Sequence, residues 1–111
     1  MLSVSLLGDF RIVYDQTPVT GVDTLRLQSL LAYLLLHRDA PQARAHLACL
    51  FWPDTTEGQA RTNLRNLLHH LRHALPEVDS YLVATVQTLY WRSDVPLGLD
   101  VAEFQAALAE A

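Results

Sequence analysis

Residues 52–76, WPDTTEGQARTNLRNLLHHLRHALP, constrain the fold more than any other stretch of the chain. Ala60, Leu64, Leu67, Leu68, Leu71, Ala74 and Leu75 recur there at helical spacing. At about 100° per residue they fill one arc of a helix, which therefore has to bury that arc against something. Asp54, Thr55 and Thr56 offer N-cap oxygens, and the pairs Thr56/Gln59 and Asp54/Glu57 both have capping-box spacing. Pro76 stops the helix, since it has no N–H to donate and disfavours helical geometry at Leu75. The opposite arc carries Arg61, Thr62, Arg65, Asn66, His69, Arg72 and His73, with no acidic residue between Gly58 and Leu75.

An arc of positive and neutral hydrogen-bonding groups suits a nucleic-acid major groove. Arg grips a guanine edge with two parallel bonds, Asn does the same for adenine, and Arg also binds phosphate at any sequence. The simpler reading is a core helix with a solvated face. Such a face usually mixes both charge signs, because acid–base pairs one turn apart support the helix.

The chain has 111 residues, enough for one domain with one core, and 50% hydrophobic residues against 18% charged mark it as globular rather than disordered. The net charge of −4 argues against binding nucleic acid by bulk charge, so any such binding depends on the local field of the basic arc. There is no lysine, so all 8 fixed cations are arginines. The single cysteine, Cys49, excludes an internal disulfide and suits a reducing cytoplasm. Met1 leads into alternating residues without the basic start of a secretory signal. The longest apolar run, residues 30–36, is far too short to span a bilayer. A cytoplasmic protein without membrane contact is the expectation.

Along the chain, Leu2, Val4 and Leu6 alternate with serines, and Phe10, Ile12 and Tyr14 alternate after the Gly8-Asp9 turn. Both runs predict half-buried strands, and Val19 can open a third after the turn at residues 15–18. A small antiparallel sheet follows. Residues 25–37 predict a helix that is apolar nearly all round from Leu30, hence central to the core, with Tyr33 as packing. Residues 42–51 predict a second, shorter helix, with Leu47, Ala48, Leu50 and Phe51 inward and Arg44 and His46 outward. Trp52 at the following corner reads as a core plug rather than a stacking platform. The third helix, about residues 57–75, is followed by two β-rich runs at 81–85 and 89–92, a predicted hairpin around Val86-Gln87-Thr88. Gly98-Leu99 reads as a joint, after which Asp100 caps a new helix with the stripe Val101, Phe104, Ala107 and Leu108. That helix either opens a further domain or folds back on the sheet.

The expected fold is therefore α+β: a small N-terminal antiparallel sheet, three helices and a C-terminal β-hairpin wing, in the order of a winged helix-turn-helix. The strings LLAYLLLHRDAP, RAHLACLFWPD, ARTNLRNLLHHLRHAL and LDVAEF, with the opening VSLLGDFRI, resemble the antibiotic-regulatory-protein (SARP) type of bacterial transcriptional activator. The LFWPD corner at residues 50–54 and the ARTNLR…LR string at residues 60–72 are the most specific parts of the resemblance. It implies an OmpR-like winged-helix DNA-binding domain over residues 1–97. Residues 98–111 would then be the first helix of an all-helical activation domain. It also implies double-stranded DNA as partner, RNA polymerase as a partner of the full-length regulator, and binding as a homodimer or in tandem. Arg61, Thr62, Arg65, Asn66 and His69 become the groove-facing candidates, Arg72 a phosphate or packing position, and Gln87 and Thr88 the wing contacts. Arg44 on the second helix completes the set.

Other chemistry is less well supported. His69, His70 and His73 form an HHxxH string, and His69 with His73 can clamp a cation, but a closed zinc site needs about four ligands. Cys49 reads as a small buried residue rather than a nucleophile. Neither a phosphate-cradling glycine loop nor paired carboxylates stand out, so neither an enzyme nor a bound cofactor is expected. The competing reading is a winged-helix module for protein interaction or dimerisation without DNA binding, through Leu36 and the terminal apolar stripe.

Overall fold

A computed structural model describes residues 1–102. The first elements are set by alternation. Strand β1, Leu2–Ser5, buries Leu2 and Val4 and pairs antiparallel with β2, Arg11–Tyr14, placing Val4 opposite Ile12. A two-residue turn links β2 to β3, Thr17–Pro18. Both turn residues, Asp15 and Gln16, have positive φ (47° and 71°), the backbone sign pattern that matches strand twist in tight hairpins. Helix α1, Leu25–Leu36, is capped by the Thr24 hydroxyl, which accepts from the Leu27 N–H at 3.2 Å. It buries Leu27, Leu30, Leu31, Leu34 and Leu35, as its composition predicts.

The expected start of the second helix at residue 42 is not what forms. Gln42–Ala43 is a short strand, β4, and helix α2 spans Arg44–Phe51. Pro41 keeps the preceding backbone out of helical geometry, and the edge of a later strand offers residues 42–43 hydrogen-bond partners that helix nucleation cannot match. Helix α2 buries only Leu47 and Ala48. Cys49 is exposed, contrary to the buried position expected for it, and Leu50 is 49% exposed rather than inward. A helix of two turns has a narrow inward stripe, and Cys49 and Leu50 lie outside it. Trp52 and Phe51 pack half-buried against the core, with the Arg26 guanidinium 4.9 Å above the Trp52 ring.

Helix α3, Glu57–Ala74, follows the predicted stripe, burying Ala60, Leu64, Leu67, Leu68 and Leu71. Thr56 is its N-cap and accepts from the Gln59 N–H at 3.2 Å. The reciprocal half of the capping box is absent, because the Gln59 side chain donates to Asn63 instead. At the other end Leu75 turns to extended geometry before Pro76. A 3₁₀ turn at Val78–Ser80 leads into β5, Leu82–Ala84, and β6, Thr88–Trp91, which pair antiparallel. Strand β4 pairs with the other edge of β6, giving a three-stranded sheet in the order β4-β6-β5. Tyr81 stacks on Trp91 at 4.6 Å, and its hydroxyl donates to the Pro76 carbonyl, so the hairpin is tied to the end of α3. Burial, with Tyr14 and Glu77 nearby, pushes the Tyr81 phenol well above its ordinary pKa.

Gly98-Leu99, the expected joint, instead lies in strand β7, Leu97–Leu99. It runs parallel to β1 and completes a four-stranded sheet in the order β3-β2-β1-β7. Leu99 enters the core beside Val4. Gly98 makes that approach possible, since a Cβ there would lie 2.7 Å from Ser3 Oγ. Beyond it, the Asp100 carboxylate accepts from the N–H groups of Leu6 (2.9 Å), Leu7 (2.8 Å) and Val101 (2.8 Å). Asp100 is the first residue of the next helical turn and fastens it to the end of β1, so it does not stand before that turn as the expected cap. Of the predicted terminal stripe, Phe104, Ala107 and Leu108 lie outside the described residues. The architecture is α+β with two small sheets and one continuous core between them and the helices. No described helix is long and apolar enough to cross a membrane.

Two outcomes follow from the β1–β7 seam. Gly98→Ala forces Ser3 aside and is expected to cost about 1–3 kcal/mol in urea unfolding. Combining it with Ser3→Ala should recover part of that loss, which a clash elsewhere would not. The hydrogen bonds from Leu6, Leu7 and Val101 hold the Asp100 carboxyl below its ordinary range. Its contribution is therefore complete above the unfolded carboxylate range and is lost as pH falls through the folded value. Asp100→Asn should lower the urea midpoint at pH 7, and its deficit against the parent chain should shrink towards pH 3.

Candidate nucleic-acid interface

Burying the α3 stripe fixes the rotation of the helix and divides its polar residues in two. With about 100° between successive residues, Arg61, Arg65 and Arg72 fall along one edge of the buried stripe. Thr62, Asn66, His69 and His73 occupy the arc pointing furthest from the core. The single basic face read from the sequence is therefore an arginine edge beside an outer arc of amide, hydroxyl and imidazole.

The arginine edge faces an open groove of about 780 Å³. Its walls come from three elements: Ala43, Arg44 and Ala45 at the start of α2, Arg61, Leu64 and Arg65 on α3, and Val86 and Gln87 at the hairpin tip. The backbone builds this arrangement, because the β4–β6 ladder ends with the Arg44 N–H donating to the Gln87 carbonyl at 2.9 Å. Ala43, the residue before α2, supplies no side-chain cap, and the first turn has no acid. The start of α2 therefore presents backbone N–H groups and the positive end of the helix dipole without a compensating side chain. Among the described residues, no acidic side chain lines the groove.

Of the nine site residues expected from the sequence, Arg44, Arg61, Arg65 and Gln87 line this groove together, whereas Thr62, Asn66, His69, Arg72 and Thr88 do not. Arg44 is half-buried, and desolvation, followed by the charges of Arg72 and Arg65, holds its guanidinium below its ordinary pKa. It stays a cation nonetheless, as arginine does in proteins. Its Nε is shut off from solvent and has no hydrogen-bond partner among the described residues. That buried N–H is closed to any ligand from outside, but the positive field of the Arg44 guanidinium, with Arg72 and Arg65 nearby, is one that an anion in the groove would stabilise.

The acid-free character read from the helix sequence is modified by residues just outside it. Arg61 pairs with Glu57 one turn earlier at 2.9 Å, and Arg72 pairs with Asp79 from the 3₁₀ turn. Both pairs are largely exposed and easily exchanged. Among the described residues, Arg44 and Arg65 make no ion pair.

On the outer arc, Asn66, His69 and His73 are exposed, and the Thr62 hydroxyl donates back to the Gly58 carbonyl at 3.1 Å. At the hairpin tip the Thr85 hydroxyl accepts from the N–H groups of Gln87 (3.3 Å) and Thr88 (2.9 Å) and meets the Thr88 hydroxyl at 2.8 Å. Thr88 is half-buried and opens strand β6, whereas Val86, not among the expected contacts, is 93% exposed. The signal for Val86 was present: a β-branched residue between two hydrogen-bonding threonines has nowhere to pack. Among the described residues, no three His, Cys, Asp or Glu side chains are placed to hold a metal ion together. No protein-family model matches this chain, and no curated protein matches it.

Proposed function

We propose that the chain is a winged-helix DNA-binding domain of a bacterial transcriptional regulator. The observation that carries this reading is the groove, where cations from α2 and α3 converge beside the hairpin tip without an acid among them. The resemblance to SARP-type activators points the same way. In this reading α3 enters the major groove, its 18 residues spanning about 27 Å at 1.5 Å each. Arg44 and the uncapped start of α2 hold a backbone phosphate. Arg65 reaches a guanine edge or a second phosphate, and Thr62, Asn66 and His69 meet base edges. The β5–β6 hairpin acts as the wing, with Val86 and Gln87 against the adjacent backbone or minor groove. Affinity comes from this local field against an overall charge of −4, and one domain covers one half-site. Two copies in tandem then supply useful occupancy.

Fluorescence anisotropy with random-sequence duplex DNA at about 50 and 200 mM salt tests the reading. Binding should appear at low salt and weaken steeply at high salt. Arg44→Ala and Arg65→Ala should each weaken it and lower the log–log salt slope by roughly one unit. Salt-independent binding, or affinity unchanged in both variants with the fold intact, counts against the interface. Asp79→Asn tests the ion pair at the groove's edge: releasing Arg72 should tighten low-salt binding and steepen the salt slope, with no loss of cooperativity in thermal unfolding.

A further inference from the structure

His69 and His73 lie one helical turn apart on the outer arc of α3, and both are exposed. Their rings touch edge to face, with centroids 4.3 Å apart. His70 turns towards a different side of the helix, its ring 6.0 Å from that of His69. Each neutral imidazole offers one nitrogen lone pair, and a helix holds the Cβ atoms of such a pair about 5–6 Å apart. Rotation of two solvent-exposed side chains brings both nitrogens onto one cation without moving backbone.

We propose that His69 and His73 form a bidentate site for a borderline divalent transition cation such as Zn²⁺, Ni²⁺ or Cu²⁺. The donor set selects this class. Two imidazoles with no carboxylate on their arc favour such ions over Mg²⁺ or Ca²⁺, which require oxygen ligands. No third protein ligand converges among the described residues, so water completes the coordination sphere and the site stays open to exchange. Arg65, one turn before His69, opposes a dication. Its charge is screened by solvent, and the neighbouring Arg72 is already paired with Asp79. The site does not depend on the DNA reading. Where both hold, occupancy adds two positive charges to the arc given to the major groove.

Calorimetric titration of the full chain with NiCl₂ and ZnCl₂, at pH 7.5 without DNA, is the test. One ion should bind per chain. His69→Gln and His73→Gln, both exposed changes, should each weaken binding roughly tenfold or more, since chelation is lost. His70→Gln should leave it within about twofold, and so should Cys49→Ser, which removes the rival exposed thiol. Equal affinity in His73→Gln and the parent chain would mean single-histidine binding only and overturns the site. A loss in His70→Gln or Cys49→Ser as large as in His73→Gln also overturns it, as does the absence of binding heat in the parent chain. None of these results bears on the salt-dependent DNA measurement.

Discussion

The apolar stripe of α3 is the constraint on which the rest of the molecule depends. Ala60, Leu64, Leu67, Leu68 and Leu71 are buried where α3 packs against α1 and α2, within the common core. Each buried leucine contributes about 1.5–3 kcal/mol relative to exposure. Turning the helix by one residue would bring Arg61 and Arg72 towards the core and expel leucines on the other side. No surface interaction in the domain approaches that cost. The rotation of α3 is therefore a consequence of packing, and the position of Arg65 beside the groove and of His69 on the outer arc follows from it.

Backbone pairing supplies the second constraint. The hairpin does not merely sit near α2; it shares a ladder with the residues that start α2. Ala43 pairs with Thr88, and the Arg44 N–H reaches the Gln87 carbonyl. Movement of the hairpin tip is consequently coupled to the first turn of α2. The far end of the hairpin is held by Tyr81 against Trp91 and by the Tyr81 hydroxyl on the Pro76 carbonyl, just after α3 ends. The groove thus has three walls joined by hydrogen bonds and aromatic packing rather than by flexible loops, which is the kind of pre-organisation that lowers the cost of binding a rigid partner.

What the sequence revealed, and what it hid, divides along the same lines. Helices α1 and α3 and the hairpin were legible because periodicity and caps are local signals: Thr56, the leucine spacing and Pro76 mark α3 without reference to anything distant. The strands Gln42–Ala43 and Leu97–Leu99 were not, because two or three residues carry no period of their own and become strands only through the partners waiting on β6 and β1. Cys49 was misplaced because a short helix leaves only a narrow face to bury. At the candidate site, the charge pattern within α3 was legible, but the partners of Arg61 and Arg72 were not. Glu57 stands one residue before the interval that was counted, and Asp79 returns through a turn whose direction the sequence does not specify.

Those two carboxylates sharpen the electrostatic argument for the groove. They pair with Arg61 and Arg72 and, among the described residues, leave Arg44 and Arg65 without an ion-pair partner. Arg44 is the more telling of the two. A half-buried guanidinium with an orphaned Nε, set against the fields of Arg65 and Arg72, is destabilising in the isolated domain. Under the proposed reading, an anion entering the groove would offset part of that repulsion. On the proposed DNA reading, a backbone of regularly spaced phosphates would supply that anion, and the groove in which Arg44 meets Arg61 and Arg65 is where it would lie.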